Sequence, residues 1–311
     1  MPPPSPSLTG IEPAALLAIG DLELRARVVV EGMWNGLHRS PFSGFSVEFS
    51  EYRQYVPGDD LRWLDWKVLA RTDREYVRKF EDETNVRCHL LVDTSRSMAF
   101  GSASYSKFDY ARTLAAALAA FLVQQRDMVG LALFADALGT HVPARWRPGH
   151  LRRLLLALDA AQPSGATDLS ASLETAGRLW RKRGIVVIVS DLLEPVDSWE
   201  SSVALLVAAG HDVRVFQVLD PAELTLRYGR AAEWEDLESG SRLLVDPEVA
   251  RERYRERLNS HLSKATSALE SRGVPVTRVT TDEPLDLVLT KWMHDAARRR
   301  SGRAQRTRRP A

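Results

Sequence analysis

The chain has 311 residues, 44% apolar and 27% charged, which is the composition of a globular protein with room for one large domain or two small ones. Lys+Arg number 42 against 41 Asp+Glu, and the resulting net charge of +1 argues against a whole-surface nucleic-acid footprint. The single cysteine, Cys88, excludes an internal disulfide, and the longest apolar run, Leu114 to Val123, is too short to span a bilayer.

The first ten residues are Pro/Ser-rich and are expected to be disordered, with neither the basic flank nor the apolar stretch of a signal peptide. The expectation is a soluble cytoplasmic protein. Residues 14–36 carry an apolar pattern read as one helix. Gly44 to Phe49 alternates like a half-buried strand, Pro57-Gly58-Asp59-Asp60 is a turn, and Asp60 can cap a short helix over 61–70. Arg74–Glu83 reads as a further strand. From Arg87 on, strand and helix alternate. The strands fall at 87–93, 128–134, 185–189 and 213–218. A helical stripe of Phe108, Ala111, Ala115, Leu118 and Leu122 follows the first, and helices centred on Leu151–Leu158, 169–183 and up to Ala209 follow in turn. The run IVVIV at 185–189 is of the kind buried on both faces of a sheet.

The alternation breaks at 221–246, where short strands flank Glu238-Ser239-Gly240. It resumes with a helical stripe at Leu258, Leu262, Ala265 and Leu269, a strand at 274–279 and a helix at 284–299. Alternation of this kind implies an α/β fold, a mostly parallel Rossmann-like sheet with helices on both faces. The domain reading is 1–10 disordered, 11–83 an N-terminal helix with a small β-rich side module, 84–220 the core, 221–246 an insertion packing with the side module, and 247–295 the end of the core. Residues 296–311 form a disordered tail. That tail holds seven arginines and no acid, so removing its charge from +1 leaves the body at −6.

Three polar clusters fall where strands end or helices start: Asp93-Thr94-Ser95-Arg96-Ser97, Gly165-Ala166-Thr167-Asp168 and Ser190-Asp191. In open α/β sheets ligands bind at this carboxyl edge. Carboxylates and hydroxyls are hard donors that suit Mg²⁺ or Mn²⁺ rather than zinc. The plainer alternative is that Asp93, Ser95 and Thr167 only cap helices. No pattern of histidines, no P-loop, no G-x-S-x-G and no G-x-G-x-x-G occurs. Cys88 reads as a packed small residue.

The three clusters resemble the metal-ion-dependent adhesion site of von Willebrand factor A domains. The resemblance implies a metal held by Asp93, Ser95, Ser97, Thr167 and Asp191, with the last position open to an acidic residue of a partner protein. The chain departs from that pattern at Leu192, where the family commonly has glycine. Outside the core, His38-Arg39-Ser40-Pro41, the run Glu51 to Asp60, Arg62-Trp63-Leu64-Asp65-Trp66, Tyr76 to Glu81 and His211 to Pro221 are similar to the bacterial family known as "domain of unknown function 58". That resemblance runs from about 35 to 290. It implies a von Willebrand A-like protein that works with a MoxR-type AAA+ ATPase in protein maturation or remodelling.

Arg53, Asp59, Asp60, Arg62, Asp65 and Trp66 read either as a partner-binding surface or as an internal salt-bridge and packing network. The leading functional reading is a non-enzymatic, Mg²⁺-dependent protein-binding adaptor. One alternative is a Mg²⁺-dependent phosphohydrolase using Asp93, although Ser95 stands where such chemistry wants a second acid. The other is nucleic-acid or peripheral membrane-surface binding through the Arg-rich tail, against a bland solubilising role for it.

Overall fold

The computed structural model of this chain describes residues 10–39, 51–54, 76–79, 86–226, 232–235, 242–245 and 247–307. The strands in chain order are β1 Glu51–Gln54, β2 Tyr76–Lys79, β3 Arg87–Asp93, β4 Met128–Phe134, β5 Leu138–Arg145, β6 Ile185–Ser190, β7 Asp212–Leu219, β8 Ala232–Glu235, β9 Arg242–Val245 and β10 Val276–Thr280. The helices are α1 Pro13–Leu17, α2 Leu22–Arg39, α3 Lys107–Gln124, α4 His150–Asp159, α5 Leu169–Leu179, α6 Val196–Ala208, α7 Pro221–Thr225, α8 Pro247–Glu270 and α9 Leu285–Thr307, with one 3-10 turn at Arg96–Ala99.

Six strands form one sheet in the order β10-β7-β6-β3-β4-β5. All neighbours are parallel except β5, which runs antiparallel to β4 at the edge. Alternation along each strand splits the side chains between two layers. In β6, Val187 and Val189 join Leu90 and Val92 of β3 in a core against α1, α2, α3, α4 and α9. Val186 and Ile188 join Leu91 on the other face, against α5, α6 and α8. The apolar run IVVIV is therefore explained: both of its faces are covered. The expected mostly parallel α/β sheet with helices on both faces is the architecture found.

Helix α3 lies deepest. From Leu114 to Leu122 every residue is buried, so it presents apolar side chains all round, as a helix enclosed in a core must. Its start is fixed by a capping box. The Ser106 hydroxyl accepts from Asp109 N–H, and the Asp109 carboxylate accepts from Ser106 N–H.

Some expectations need correction. The single helix over 14–36 is two, α1 and α2, because Gly20-Asp21 stops one and starts the next. The Asp21 carboxylate accepts from Glu23 N–H at 2.8 Å and Leu24 N–H at 3.0 Å, satisfying two free helix donors. The helix expected over 169–183 ends at Leu179. The last helix passes its expected end at 299 and enters the Arg-rich segment, where its backbone stays helical to Thr307. Strand β5 has no counterpart in the sequence reading. Pro143 in its middle reads as a strand breaker, yet it is tolerated at the edge, where the β4–β5 register shifts twice.

The chain divides into two compact units, Met1–Leu37 with Val86–Ala311, and His38–Asn85. The N-terminal helices and the 221–246 insertion thus belong with the core unit. In the smaller unit β1 and β2 pair antiparallel, with Glu51 opposite Lys79 and Gln54 opposite Tyr76. In the larger, β8 and β9 make a second antiparallel pair. The strand expected at 44–49, the turn at 57–60 and the helix at 61–70 lie outside the described residues, as do most of the residues through which 221–246 was expected to pack on the side module.

Candidate functional site

The sheet order places a topological switch point between β3 and β6. The chain leaves β3 for β4 on one side and returns later to β6 on the other, which opens a crevice at the carboxyl ends of the two strands. Asp93 is the last residue of β3 and Ser190 the last of β6. The third cluster is tied to the same edge by backbone bonds: Arg96 N–H donates to Gly165 O at 3.0 Å, Ser164 N–H to Thr94 O at 2.8 Å, and Asp168 N–H to Ala135 O at 2.8 Å.

These loops bring Asp93, Ser95, Ser97 and Asp191 together, with the segment that carries Thr167 tied to the same edge through its backbone. Asp93 and Ser95 are fully buried, Asp191 is 2% exposed, and Ser97 and Thr167 are half-buried. The Asp93 carboxylate accepts from Ser95 N–H at 2.8 Å and from the Ser190 hydroxyl at 2.6 Å. The Ser95 and Ser97 hydroxyls are 3.0 Å apart, and Ser97 donates to Asp191 Oδ2 at 2.9 Å. The capping alternative does not describe Ser95 or the start of α5. Ser95 makes no side-chain cap bond, and the cap of α5 is Asp168, whose carboxylate accepts from Ala171 N–H.

Two residues of the site, Lys107 and Glu223, were absent from the sequence reading, and Ser190 was named there in a strand-end cluster but not among the metal-holding residues. Ser190 orients Asp93. Lys107, the first residue of α3 and fully buried, places its ammonium 2.8 Å from Asp191 Oδ2 and 2.6 Å from Glu223 Oε1. Glu223 is held in turn by a capping box with Asp220 at the start of α7. The signal for Lys107 was present: it stands four residues before Ala111 on the apolar stripe, where a lysine must find a carboxylate.

Burial and the nearby Asp191 carboxylate push the Asp93 carboxyl up to about 7, against the hydrogen bonds from Ser190 and Ser95. Burial alone would lower the Lys107 ammonium, but the Asp191 and Glu223 carboxylates outweigh it and raise its pKa, so Lys107 stays charged. Burial raises Glu223 despite the ammonium beside it. The Asp93 carboxylate is fully buried and engaged by Ser190 and Ser95, and Ser95 stands where a phosphohydrolase would want its second acid.

The donor set is all oxygen and suits a hard divalent cation. Adjacent donors around octahedral Mg²⁺ stand about 2.9 Å apart. The Ser95–Ser97 and Ser97–Asp191 separations, 3.0 and 2.9 Å, fit that spacing, and they are equally hydrogen-bond lengths. Among the described residues no group of three or more His, Cys, Asp or Glu gathers to hold a metal, so hydroxyls would have to supply part of any such set. The residues present therefore fit Mg²⁺ or Mn²⁺ only as a mixed carboxylate–hydroxyl site.

The loop after β6 is pinned from three directions. Gln217 of β7 donates to Asp191 O at 3.1 Å and is itself held by Arg278 of β10. His261 of α8 lies 2.8 Å from Leu192 O, and Leu192 N–H donates to the Ser190 hydroxyl. Leu192 has φ +54, a left-handed conformation that costs a non-glycine residue roughly 1–2 kcal/mol. Its side chain is 3% exposed in the α5–α6–α8 core. The departure from glycine noted in the sequence thus sits where the backbone itself asks for glycine, and burial offsets the strain. The exposed rim around the buried carboxylates carries Arg96, Ala166, Asp168 and Leu193.

Of the six residues read as a partner surface, Arg53 lies on β1 opposite Val77. Asp59, Asp60, Arg62, Asp65 and Trp66 lie outside the described residues. Cys88 is buried in the core, as expected.

The model of a family described as "protein of unknown function DUF58" matches residues 51–264. The chain belongs to this DUF58 family. The DUF58 protein is 31% identical to uncharacterized proteins of Mycobacterium bovis and Mycobacterium tuberculosis over 292 residues, covering 92% of this chain and 89% of each relative. Among solved structures it is similar to the conserved hypothetical protein BatB of Bacteroides thetaiotaomicron, at 15% identity and a TM-score of 0.46 over 68% of this chain and 99% of that one. It is also similar to the SpRpn10 VWA domain, at 10% identity and a TM-score of 0.40 over 66% of this chain and 94% of that one. Among the described residues of the DUF58 protein, no helix is long and apolar enough to cross a membrane.

Proposed function

We propose that this DUF58 protein is a non-enzymatic protein-binding adaptor whose docking face is the carboxyl edge of β3 and β6. The observation that carries the reading is the convergence of Asp93, Ser95, Ser97 and Asp191 at the switch point, joined by direct hydrogen bonds across nearly a hundred residues of chain. In this reading Asp93, Ser95, Ser97, Thr167 and Asp191 hold Mg²⁺ or Mn²⁺. The bound cation supplies a positive centre to which a partner's carboxylate adds the last ligand. Arg96 and Leu193 on the rim give that acidic segment a charge and an apolar contact. By the family resemblance, the machine it serves is a MoxR-type AAA+ ATPase, acting on a client that offers an acidic residue.

The test is co-purification of the cognate ATPase with wild type, Arg96→Glu and Asp93→Ala, each with Mg²⁺ and with EDTA. The reading expects recovery to fall for both variants and in EDTA. Recovery unchanged by EDTA rejects the metal, and recovery unchanged by Arg96→Glu rejects this face.

A further inference from the structure

Lys107 is the residue of the site that the adhesion-site pattern does not require. It opens α3 at the positive end of the helix dipole, where a cation is disfavoured, and it is completely buried. Such a lysine persists only with carboxylates in contact, and it has two, from different elements. Its ammonium also lies on Asp191 Oδ2, the same oxygen that accepts from Ser97.

We propose that Lys107 is the built-in cation of the site and sets how tightly a divalent metal is held, by competing for Asp191. This rests on the reading that the site takes such a metal. A cation using Ser95, Ser97 and Asp191 must displace the ammonium from Asp191 or accept a like charge beside it. Glu223 gives the displaced ammonium a second anchor, so exchange does not leave a buried charge unpaired. The Ser97–Asp191 and Lys107–Asp191 bonds likewise keep the loops in place without metal. The site is thereby a weak, exchangeable one whose loops stay in place when it is empty.

The experiment is Mn²⁺ titration of the full chain followed by the electron paramagnetic resonance of the free ion. It compares wild type, Lys107→Met, Lys107→Arg and the double variant Lys107→Met/Glu223→Gln. The double variant removes the ammonium and one carboxylate together, so net charge is conserved and a folded protein remains available if Lys107→Met does not fold; circular dichroism and a thermal melt check each. Freeing Asp191 of one charged hydrogen bond is expected to tighten Mn²⁺ binding about tenfold or more in the double variant and in Lys107→Met, with no tightening in Lys107→Arg. Adding Asp191→Asn should abolish the gain. If wild type binds Mn²⁺ and the folded double variant binds it equally, the role of Lys107 is overturned while the metal reading stands. If no variant binds Mn²⁺, both fall. If only the Lys107→Met proteins bind, the inference holds and the metal-dependent reading of the wild type fails.

Discussion

His89 makes the stability of this protein fall with acid in a way that can be worked out from its surroundings. The ring sits in the middle of the sheet on β3, 4% exposed, stacked on Trp180 with centroids 4.5 Å apart, and among the described residues neither ring nitrogen has a hydrogen-bond partner. The groups facing it are cationic or neutral bases: His211, Arg87 and His141, with Arg181 and Lys182 around the adjoining cleft. Burial first, and then these neighbours, push its pKa down to about 3, against about 6.5 in an unfolded chain. Above pH 6.5 the ring is neutral in both states and costs nothing. Below it the unfolded chain takes a proton that the folded chain refuses, so stability drains as pH falls, at about 1.4 kcal/mol per unit until pH 3. Between pH 7.5 and pH 5 that amounts to about 2 kcal/mol from this one residue. Urea unfolding of wild type and His89→Phe at pH 7.5, 6 and 5 isolates it, since phenylalanine keeps the stack on Trp180 without the titration. The wild type should lose about 2 kcal/mol more than the variant over that range. Parallel losses in the two proteins would refute the argument.

Other outcomes follow from single contacts. Cys88, buried with its thiol pushed up to about 12, should resist thiol reagents at pH 8 in the folded protein and react with one equivalent in urea; native-state labelling at a free-thiol rate contradicts this. Gly130→Ala places a Cβ 2.8 Å from Ala144 N across the β4–β5 edge, so the urea midpoint should drop by the equivalent of about 1–3 kcal/mol, and an unchanged midpoint argues against the close approach. Asp21→Ala removes the cap of α2 and should lower stability by about 1 kcal/mol, with Asp21→Asn largely sparing it; equal losses would assign the effect to charge rather than capping. Lys107→Met leaves Asp191 and Glu223 as buried carboxylates without a counterion and should cost about 3–5 kcal/mol in thermal or urea unfolding.

The sheet core was legible because its strands are long apolar runs: β3 and β4 begin and end where the pattern predicts, and β6 differs only by including Ser190. The clusters of the site were legible because strand ends are where an α/β sheet binds. The edge strand β5 was not, since half its residues face water and Pro143 interrupts it. The break between α1 and α2 was hidden by apolar residues on both sides of Gly20-Asp21. Lys107 stood on the apolar stripe as a lysine in need of a carboxylate, but its pairing with Glu223 is a contact over more than a hundred residues of chain, which no local pattern reports. The positive φ of Leu192 could be suspected only from the glycine expected there.

The distances that join the site are short in space and long in sequence. Ser97 meets Asp191 across 94 positions, Ser190 meets Asp93 across 97, and Lys107 meets Glu223 across 116. Contacts of such separation are formed only after much loop entropy has been spent, late in the assembly of the sheet. A nascent chain that has emerged only as far as Leu179 contains Asp93, Ser95, Ser97, Thr167 and Lys107 but lacks Ser190, Asp191 and Glu223. The cross-chain hydrogen bonds of the cluster form only when β6 slots in beside β3. The cluster is therefore a product of the assembled sheet, and no piece of the chain that stops short of β6 carries it.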